Sequence, residues 1–350
     1  MRVISIANQK GGCGKTTTAI NLSSFLAEFG RKVLVIDLDP QAHASYGFGV
    51  NSQNLDKSIY NTLTDVPEKR RNLGDVIVHL KANLDLAPSN ILLSTLEQEL
   101  KDKEDAVSKL HLVFAQNTLD YSYIIIDCPP SLGFLTFNAL RASDEVIVPI
   151  EMSAFSLMGV SKLLGMLELI KIKISHTPRV KALATIYDKR TNFSDVMMGE
   201  IKRFFNEDLY KTTIRINVAL KKAIYKRVPI DQFDKDAAGA KDYCGLAKEV
   251  IDEEKLVSPY READFTFEAP EAKEVYIAGD FNGWRIEETG RLLRTDDGRW
   301  KKRLALAPGK YRYKFYVDGQ WVLDSGNRER ESNPFGSLDS ILKLGEDARN

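Results

Sequence analysis

The stretch KGGCGKTT, Lys10–Thr17, constrains the fold more than any other part of this 350-residue chain. It follows a short β-branched run, RVISIA, and it opens a segment with helical periodicity. Its three glycines leave the backbone bare, so that successive N–H groups can turn inward around a phosphate at the amino end of the helix. A strand, a glycine-rich turn, Lys-Thr and a helix in this order predict a phosphate-binding loop.

The loop departs from the usual pattern in one position. That pattern begins with glycine, whereas this chain has Gln9 followed by a second lysine, Lys10, which is either functional or a solvated basic residue. Lys15 should reach the β- and γ-phosphates of a nucleotide, and the Thr16 hydroxyl should ligate Mg²⁺. The residues predicted to bind the nucleotide are Gly11, Gly12, Cys13, Gly14, Lys15, Thr16 and Thr17.

Two later strand-like runs end in acidic residues. VLVID ends at Asp37, two residues before Asp39, and YIIID ends at Asp127. Ligands of an open parallel sheet bind beyond the carboxyl ends of its strands, so all three carboxylates can face one nucleotide. We predict that Asp127 holds Mg²⁺ through water, that Asp37 supports the shell of this ion and that Asp39 orients the attacking water. A strand-end cap or turn role is the simpler alternative for each.

The first 256 residues alternate short apolar runs with helical patterns. The runs are continuous and rich in β-branched residues, as in strands that are buried on both faces: VISIA, VLVID, YIIID, VIVPI and ALATIY. Helices are predicted between them, for example at Lys15–Phe29 and Gly159–Ile172. The alternation predicts an α/β domain over residues 1–256, with a mostly parallel sheet and helices on both faces.

The pattern changes after a linker predicted at residues 257–263. From Asp264 the apolar runs are short and alternating, and the turn signals NGW, DDG, PGK and DGQ separate them. Many short strands at such spacing predict an antiparallel all-β sandwich or barrel, which we place at residues 264–345. The chain's three tryptophans all lie in this domain: Trp284, Trp300 and Trp321.

Composition narrows the class of protein. Lysine plus arginine and aspartate plus glutamate both number 49, so the net charge indicates no partner. The three cysteines have no metal-ligand spacing and fit a reducing compartment. We see no signal peptide and no apolar stretch of about 20 residues, the length of a membrane span. We therefore expect a cytoplasmic protein.

The motifs KGGCGKTT, DLDPQ, DCPPSLG and TIYDKRTNFS stand in the order typical of the ParA/Soj branch of the ParA–MinD ATPases, and residues 1–254 resemble that branch. The resemblance implies ATP and Mg²⁺ as cofactors, and slow hydrolysis that a partner protein stimulates with a basic peptide. It also implies a homodimer around ATP, in which Lys10 reaches the phosphates held by the other subunit. Such a lysine would neutralise charge in the transition state. The predicted catalytic residues are Lys10, Lys15 and Asp39.

A basic surface is expected late in this domain. Residues 171–227 contain 14 lysines and arginines against 5 acidic residues. In ParA-type proteins this region binds DNA through phosphate contacts that are blind to sequence, and such a protein would associate with the nucleoid. The family's arginine positions are occupied here by Ile216 and Ala219. A solvated basic face is the alternative. The predicted DNA-binding residues are Arg190, Arg215, Lys221 and Lys222.

Two related functions fit the sequence less well. Attachment to a membrane, as in MinD, requires a C-terminal amphipathic helix, whereas this ATPase domain ends in the acidic segment KEVIDEEKLV. An iron–sulfur reductase of the nitrogenase type requires cysteines that ligate a cluster between two subunits, and the cysteines here do not suit that role. We therefore expect neither a membrane nor an iron–sulfur cluster as a partner.

The segments KEVYIAGDFNGW, YKFYVDGQW and NPFGSLDSIL resemble the glycogen-binding module of the AMP-activated kinase β subunit, which belongs to carbohydrate-binding module family 48. The resemblance implies an immunoglobulin-like sandwich that binds α-glucan without cleaving it. Sugar rings stack on aromatic planes, and their hydroxyls need polar partners. The family often has asparagine at position 339, and an aspartate lacks its amide donor. The residues at the family's ligand positions are Trp284, Lys314, Trp321, Phe335, Ser337 and Asp339.

Alternatives for this module remain open at this point. Trp284 and Trp321 could be core residues, as we expect for Trp300, which aligns outside the binding face. The module could also dock a protein. We predict an ATP-dependent dimerising ATPase that partitions or positions DNA or another cargo, with glycogen or a glycogen-associated protein as the partner of its β domain. A glucan-responsive regulatory ATPase and an assembly ATPase with a protein-docking β domain are the alternative functions.

Overall fold

The computed structural model of the chain forms two compact units, Met1–Asp252 and Glu253–Asn350. The last α-helix among the described residues ends at Val257, and the first strand of the second unit begins at Arg261, inside the range predicted as a linker. The residues that the structure describes are 1–52, 55–103, 105–117, 119–153, 156–174, 176–257, 261–295, 298–306, 309–333 and 336–344.

A seven-stranded sheet forms the centre of the first unit. Its strands are β1 (Arg2–Ile6), β2 (Val33–Asp37), β3 (Val78–Lys81), β4 (Leu84–Ala87), β5 (Tyr123–Asp127), β6 (Glu145–Glu151) and β7 (Arg179–Thr185). The order is β3-β4-β2-β5-β1-β6-β7, and the neighbours are parallel except for β3 and β4. The mostly parallel sheet is confirmed, whereas the antiparallel edge hairpin β3–β4, with Asn83 at a φ of 63° in its turn, was not predicted.

Helices cover both faces of this sheet, as predicted. Alternate residues of β1 contribute to two hydrophobic clusters, because side chains alternate along a strand: Val3 packs in one cluster and Ile4 in the other. Helices α3, α5, α6, α7 and α8 pack into the first cluster, and α1, α9, α10 and α11 into the second. The helices are α1 (Lys15–Glu28), α2 (His43–Gly47), α3 (Ile59–Leu63), α4 (Leu96–Leu100), α5 (Lys109–Gln116), α6 (Phe134–Ala142), α7 (Ser156–Ile174), α8 (Asn192–Phe205), α9 (Val218–Tyr225), α10 (Ile230–Phe233) and α11 (Ala238–Val257).

The second unit consists of two antiparallel sheets, so the all-β domain is confirmed. One sheet has the order β10-β11-β8, and the other has the order β13-β12-β15-β14, with β9 also paired to β12. The strands are β8 (Arg261–Glu268), β9 (Val275–Gly279), β10 (Leu293–Arg294), β11 (Arg299–Leu306), β12 (Gly309–Val317), β13 (Gln320–Val322), β14 (Arg330–Ser332) and β15 (Leu338–Leu344).

Aromatic side chains fill the space between these two sheets. The rings of Phe267 on β8 and Phe315 on β12 are 4.5 Å apart between centroids. Trp300 is buried beside them, and its indole N–H donates to the carbonyl of Ala269 at 2.9 Å. The prediction that Trp300 is a core residue is confirmed.

A tight turn between β12 and β13 presents Trp321 at the surface. Asp318 and Gly319 have φ angles of 44° and 90°, the left-handed values that two-residue hairpins prefer because they match the strand twist. The register of this hairpin places Trp321 opposite Tyr316.

Candidate nucleotide site and carbohydrate groove

The central strands of the first unit end level with one another at the phosphate loop. In the register of the sheet, Asp127 lies beside Ile6 on one side and beside Asp37 on the other. The loop begins directly after β1, so both aspartates and the loop meet at one edge of the sheet, as is typical of ligand sites in parallel sheets.

The phosphate loop has the backbone conformation that its glycines permit. Gly12 and Gly14 have φ angles of 76° and 95°, and a Cβ at Gly12 would meet no atom within 4 Å, so conformational freedom and not crowding favours glycine there. Cys13 is fully buried, with its Sγ donating to the carbonyl of Lys10 at 3.2 Å. Only its backbone is placed to meet a phosphate. Thr185, which was not predicted, anchors the loop by donating from Oγ1 to the Cys13 carbonyl at 2.8 Å.

The two lysines of the loop have different partners. Lys15 is buried, and its ammonium donates to the carbonyl of Lys10 at 3.0 Å, across the loop. The ammonium of Lys10, by contrast, pairs with Glu151 at the end of β6 and contacts the hydroxyl of Ser153. Glu151 was not predicted, although it follows the apolar run VIVPI directly, as Asp37 and Asp127 follow or end theirs.

Asp37 is fully buried and uses both carboxylate oxygens within its own chain. Oδ2 accepts hydrogen bonds from the backbone N–H and the hydroxyl of Ser45 at 2.7 and 2.6 Å, and Oδ1 accepts from the N–H of Asp39 at 3.2 Å. Burial raises the pKa of Asp37 to about 6, although the hydrogen bonds from Ser45 oppose this shift. Asp37 therefore fixes the turn that carries Asp39, independently of any contact with Mg²⁺.

Asp39 is held by its backbone as well as by its carboxylate. Its carbonyl accepts a hydrogen bond from the Ser89 hydroxyl at 2.5 Å, and its Oδ1 accepts from the N–H of Gln41 at 3.0 Å. The Ser89 N–H in turn donates to the Ser45 hydroxyl at 3.1 Å. Neither serine was predicted, because nothing in the local sequence distinguishes a serine that supports a site from one on the surface.

Asp127 has a different environment from Asp37. It is fully buried, and neither of its carboxylate oxygens makes a hydrogen bond to any residue that the structure describes. Burial, together with the charge of Asp37, raises the pKa of Asp127 well above its ordinary value, and the nearby Thr16 hydroxyl opposes the shift. A buried carboxylate in such a state is costly unless a cation compensates it.

The donor set fits a magnesium ion. The Thr16 hydroxyl and the Asp127 carboxylate supply oxygen atoms, which Mg²⁺ prefers, and this ion is usually held by one or two protein ligands together with phosphates and waters. Within the described residues, no group of three or more His, Cys, Asp or Glu side chains is arranged as a metal site.

The four predicted DNA-binding residues differ in their contacts and exposure. Arg190 pairs with Asp188 at 2.7 Å, and Arg215 forms two-point contacts with Asp242, so a carboxylate of the same chain neutralises each of these arginines. Lys221 and Lys222 lie exposed on α9, whose buried face is formed by Leu220 and Ala223.

The second unit has a surface groove of about 490 Å³ at the predicted carbohydrate positions. Five of the six predicted residues line it, and Phe335 lies outside the described residues. Arg312 and Asn333 also line the groove and were not predicted. The described residues that line it are Trp284, Arg312, Lys314, Trp321, Asn333, Ser337 and Asp339.

The aromatic wall of this groove faces solvent. Trp321 is 45% exposed, so it is not a core residue, and Trp284 is half-buried. The centroids of the two indoles are 5.9 Å apart, with an angle of 61° between the rings. On the polar side, the Lys314 ammonium donates to the Ser337 hydroxyl at 2.9 Å and lies 3.1 Å from Oδ1 of Asp339.

A phosphate loop between the first strand and helix of a mostly parallel sheet, beside two strand-end aspartates, defines a P-loop nucleotide-binding protein. Comparison with known proteins gives the family. Residues 1–180 match the family model of an AAA domain, and residues 262–349 match that of the glycogen recognition site of AMP-activated protein kinase. The chain belongs to the ParA–MinD family of P-loop ATPases and carries a glycogen-recognition module, so both resemblances seen in the sequence are confirmed.

Relatives cover nearly the whole first unit. The sporulation initiation inhibitor protein Soj of Bacillus subtilis is 39% identical over 254 residues, which are 71% of this chain and 98% of Soj. The chromosome partitioning protein ParA of Myxococcus xanthus is 33% identical over 261 residues, 74% of this chain and 91% of that protein.

Solved structures share the fold of the first unit. Cobyrinic acid a,c-diamide synthase of Mycobacterium smegmatis with bound ADP and magnesium has a TM-score of 0.63 at 29% identity, over 73% of this chain and 96% of that one. The ATP complex of a Cyanothece McdA variant has a TM-score of 0.64 at 20% identity, over 72% and 96%. Among the described residues, no helix is both long and apolar enough to pass through a membrane.

The state of Asp127 predicts an unusual effect on stability. In the folded protein its raised pKa keeps a proton bound at pH values where the unfolded chain has lost it, so its contribution to stability falls as the pH rises. Asp127→Asn removes this cost. We expect the variant, free of nucleotide and magnesium at pH 7.5, to melt higher than the parent, by about 2–4 °C for each kcal/mol relieved.

The matched control is Asp231→Asn. Asp231 is equally buried, but it accepts from Ser24 and pairs with Lys81 at 2.9 Å, so its amide variant should melt lower. The gain from Asp127→Asn should also shrink as the pH is lowered toward 4. Scanning calorimetry of the three proteins checks both points, and parallel losses in the two variants would contradict the assignment.

Proposed function

We propose that this chain is a ParA-type ATPase that dimerises on Mg·ATP, hydrolyses ATP to ADP and phosphate, and partitions or positions DNA or another cargo. The observation that carries the proposal is the pair of lysines on one glycine loop beside Asp127. Lys15 lies across its own loop, whereas the ammonium of Lys10 is directed to Glu151 at the end of β6. On this proposal Lys15 binds the phosphates of its own subunit, and Lys10 binds those of a second copy, as the family resemblance implies.

The proposed roles follow from the contacts. The backbone N–H groups of the loop and Lys15 bind the phosphates, and Thr16 and Asp127 hold Mg²⁺, which neutralises phosphate charge when bound. Oδ1 of Asp39 accepts from Gln41, while its Oδ2 makes no hydrogen bond within the described residues, so this oxygen is placed to accept from the attacking water. Asp37 positions Asp39 through the backbone.

Turnover is proposed to be slow without a partner protein that supplies a basic peptide. The resemblance to ParA/Soj-type proteins supports this proposal, and Arg190 and Arg215 are each paired with a carboxylate of the same chain. An added cation near the phosphates is the general way in which such sites are accelerated.

Dimerisation is tested with an ATP-trapped protein. Asp39→Ala should bind ATP without hydrolysing it and sediment as a dimer with ATP and Mg²⁺. Adding Lys10→Ala should return it to a monomer that still binds ATP, because the contact to the second copy is lost while Lys15 and the N–H groups of the loop remain. Lys15→Ala should lose ATP binding itself. Lys32→Ala removes another carboxylate-paired lysine, at the opposite end of the sheet, and should leave the dimer intact. An Asp39→Ala protein that stays monomeric with ATP would refute the proposal.

Non-specific DNA binding is proposed for α9, on a protein that works in the cytoplasm at the nucleoid. The support is that Lys221 and Lys222 are exposed on one short helix. Lys221→Glu/Lys222→Glu should abolish retention on DNA at low salt and flatten its salt dependence, because each lost phosphate contact lowers the slope by about one. Lys101→Glu/Lys103→Glu makes the same charge change elsewhere on the surface. Equal retention of both variants would leave α9 as a solvated basic face.

The second unit is proposed to bind an α-glucan such as glycogen. The groove supports this, since it combines one exposed and one half-buried indole with buried polar groups. The full chain should be retained on amylose, and Trp284→Ala/Trp321→Ala should lose at least 90% of that retention, whereas Tyr225→Ala, at an exposed aromatic residue of the first unit, should lose none. Retention that survives the tryptophan changes would favour a protein-docking module instead.

A further inference from the structure

The carboxylate of Asp280 contacts residues on both the aromatic and the polar side of the surface groove of the second unit, the glucan groove. Oδ1 of Asp280 accepts a hydrogen bond from the indole Nε1 of Trp284 at 3.0 Å. Its Oδ2 accepts from the backbone N–H of Arg312 at 2.9 Å and from the guanidinium Nε of the same residue at 3.3 Å. Asp280 thus fixes an aromatic side chain and a charged one at the same time.

Trp284 needs such support because its backbone conformation is unfavourable. Its φ angle is 61°, in the left-handed region that bulky residues rarely adopt, and its N–H donates to the Gly279 carbonyl at 3.0 Å. The position of the indole is therefore imposed by its surroundings. The hydrogen bond to Asp280 fixes the orientation of this ring, whose centroid lies 5.9 Å from that of Trp321.

The groove is short of hydrogen-bond donors at the position where an amide was expected. Asp339 is 2% exposed, and its Oδ1 receives both Lys314 at 3.1 Å and the amide of Asn333 at 2.8 Å. The Asp339 carboxylate therefore offers no N–H or O–H donor to a ligand, and little of it is exposed to solvent. Lys314 has already used two of its three N–H groups, on Ser337 and Asp339.

Arg312 has the missing donors. Its side chain is 39% exposed and lines the groove, and only its Nε is used, by Asp280. Its two terminal nitrogens, which carry four N–H groups, make no hydrogen bond to a residue in the part of the chain that the structure describes. The planar guanidinium presents these donors as a fixed fork, which suits two adjacent oxygen atoms.

Resting on the proposed glucan function, we propose that Arg312 is a specificity-determining residue of the groove, donating from its terminal nitrogens to adjacent hydroxyls of the bound glucan, and that Asp280 is the residue that positions both Arg312 and Trp284. The ligand is a neutral sugar. Each cation of the groove is matched by a carboxylate, Arg312 by Asp280 and Lys314 by Asp339, so no surplus positive charge selects a phosphorylated chain.

The test measures the affinity of the full chain for maltoheptaose by calorimetry. Arg312→Ala should bind about tenfold more weakly, the factor that corresponds to losing one or two hydrogen bonds, and Arg312→Gln should lie between it and the parent. Arg291→Ala, at an arginine of the same unit that pairs with Glu288 and does not line the groove, should bind normally. Unchanged affinity in Arg312→Ala overturns the inference, as does tighter binding of a phosphorylated maltooligosaccharide than of the neutral one.

The positioning role of Asp280 has its own readout. Asp280→Ala should shift the tryptophan emission of the ligand-free protein, whereas Arg312→Ala should not, and Asp280→Asn, which keeps an acceptor for the indole, should restore the emission. In a double-mutant cycle the losses from Asp280→Ala and Arg312→Ala should be less than additive, because both act through one guanidinium. Additive losses, or an unchanged emission, overturn this role. Should Asp280→Ala fail to fold, the emission and affinity of Asp280→Asn decide in its place.

Failure of the inference and failure of the proposed function can be told apart. A parent protein that does not bind maltoheptaose removes the glucan function and the inference together. A parent that binds, with binding abolished by Trp284→Ala/Trp321→Ala but indifferent to Arg312→Ala, keeps the glucan function and removes only the inference.

Discussion

The level ends of β1, β2 and β5 are the constraint on which the rest of the first unit depends. These strands are buried on both faces, and their register sets Asp127 between Asp37 and Ile6, the last residue of β1. A shift by one residue would move every side chain of a strand to the opposite face, so the packing of the core fixes the distance between loop and carboxylates. The site is thereby placed without a hydrogen bond between the side chains of Asp37 and Asp127.

Prediction from the sequence succeeded where a single segment determines its own secondary structure. VLVID and YIIID are strands over the predicted residues, because a continuous apolar run between turns has few other structures available. The hairpin β3–β4 was not predicted, because its strands are short and β3 is only partly buried. Neither a helical nor a strand periodicity is clear in its sequence. The roles of Glu151, Ser45 and Ser89 were not predicted for another reason. Each acts on a residue far away in the chain or around a turn, and only the folded chain brings the two together.

The glucan groove shows the same division between local and distant information. The aromatic and polar lining could be read from motifs that resemble a known module, including the positions of Trp284 and Lys314. Asp280 and Arg312 lie 32 residues apart, and their pairing depends on strand β9 running beside β12. The replacement of asparagine by Asp339 was visible in the sequence, but its consequence was not, because the burial of that carboxylate against Lys314 is a property of the fold.

The two sites differ in how their charged side chains are paired, and this difference matches the ligands proposed for them. In the first unit Asp127 is buried without a hydrogen bond from the described residues, which suits a site completed by a cation and a charged nucleotide. In the second unit each cation of the groove has a carboxylate beside it, which suits a neutral sugar. The two sites can also be coupled through the number of chains that are joined together. On the proposed function, ATP joins two chains and so joins two grooves, and a branched polymer with many chain ends binds two linked grooves more tightly than one. Nucleotide state would then set the avidity for glycogen without any change in the groove itself.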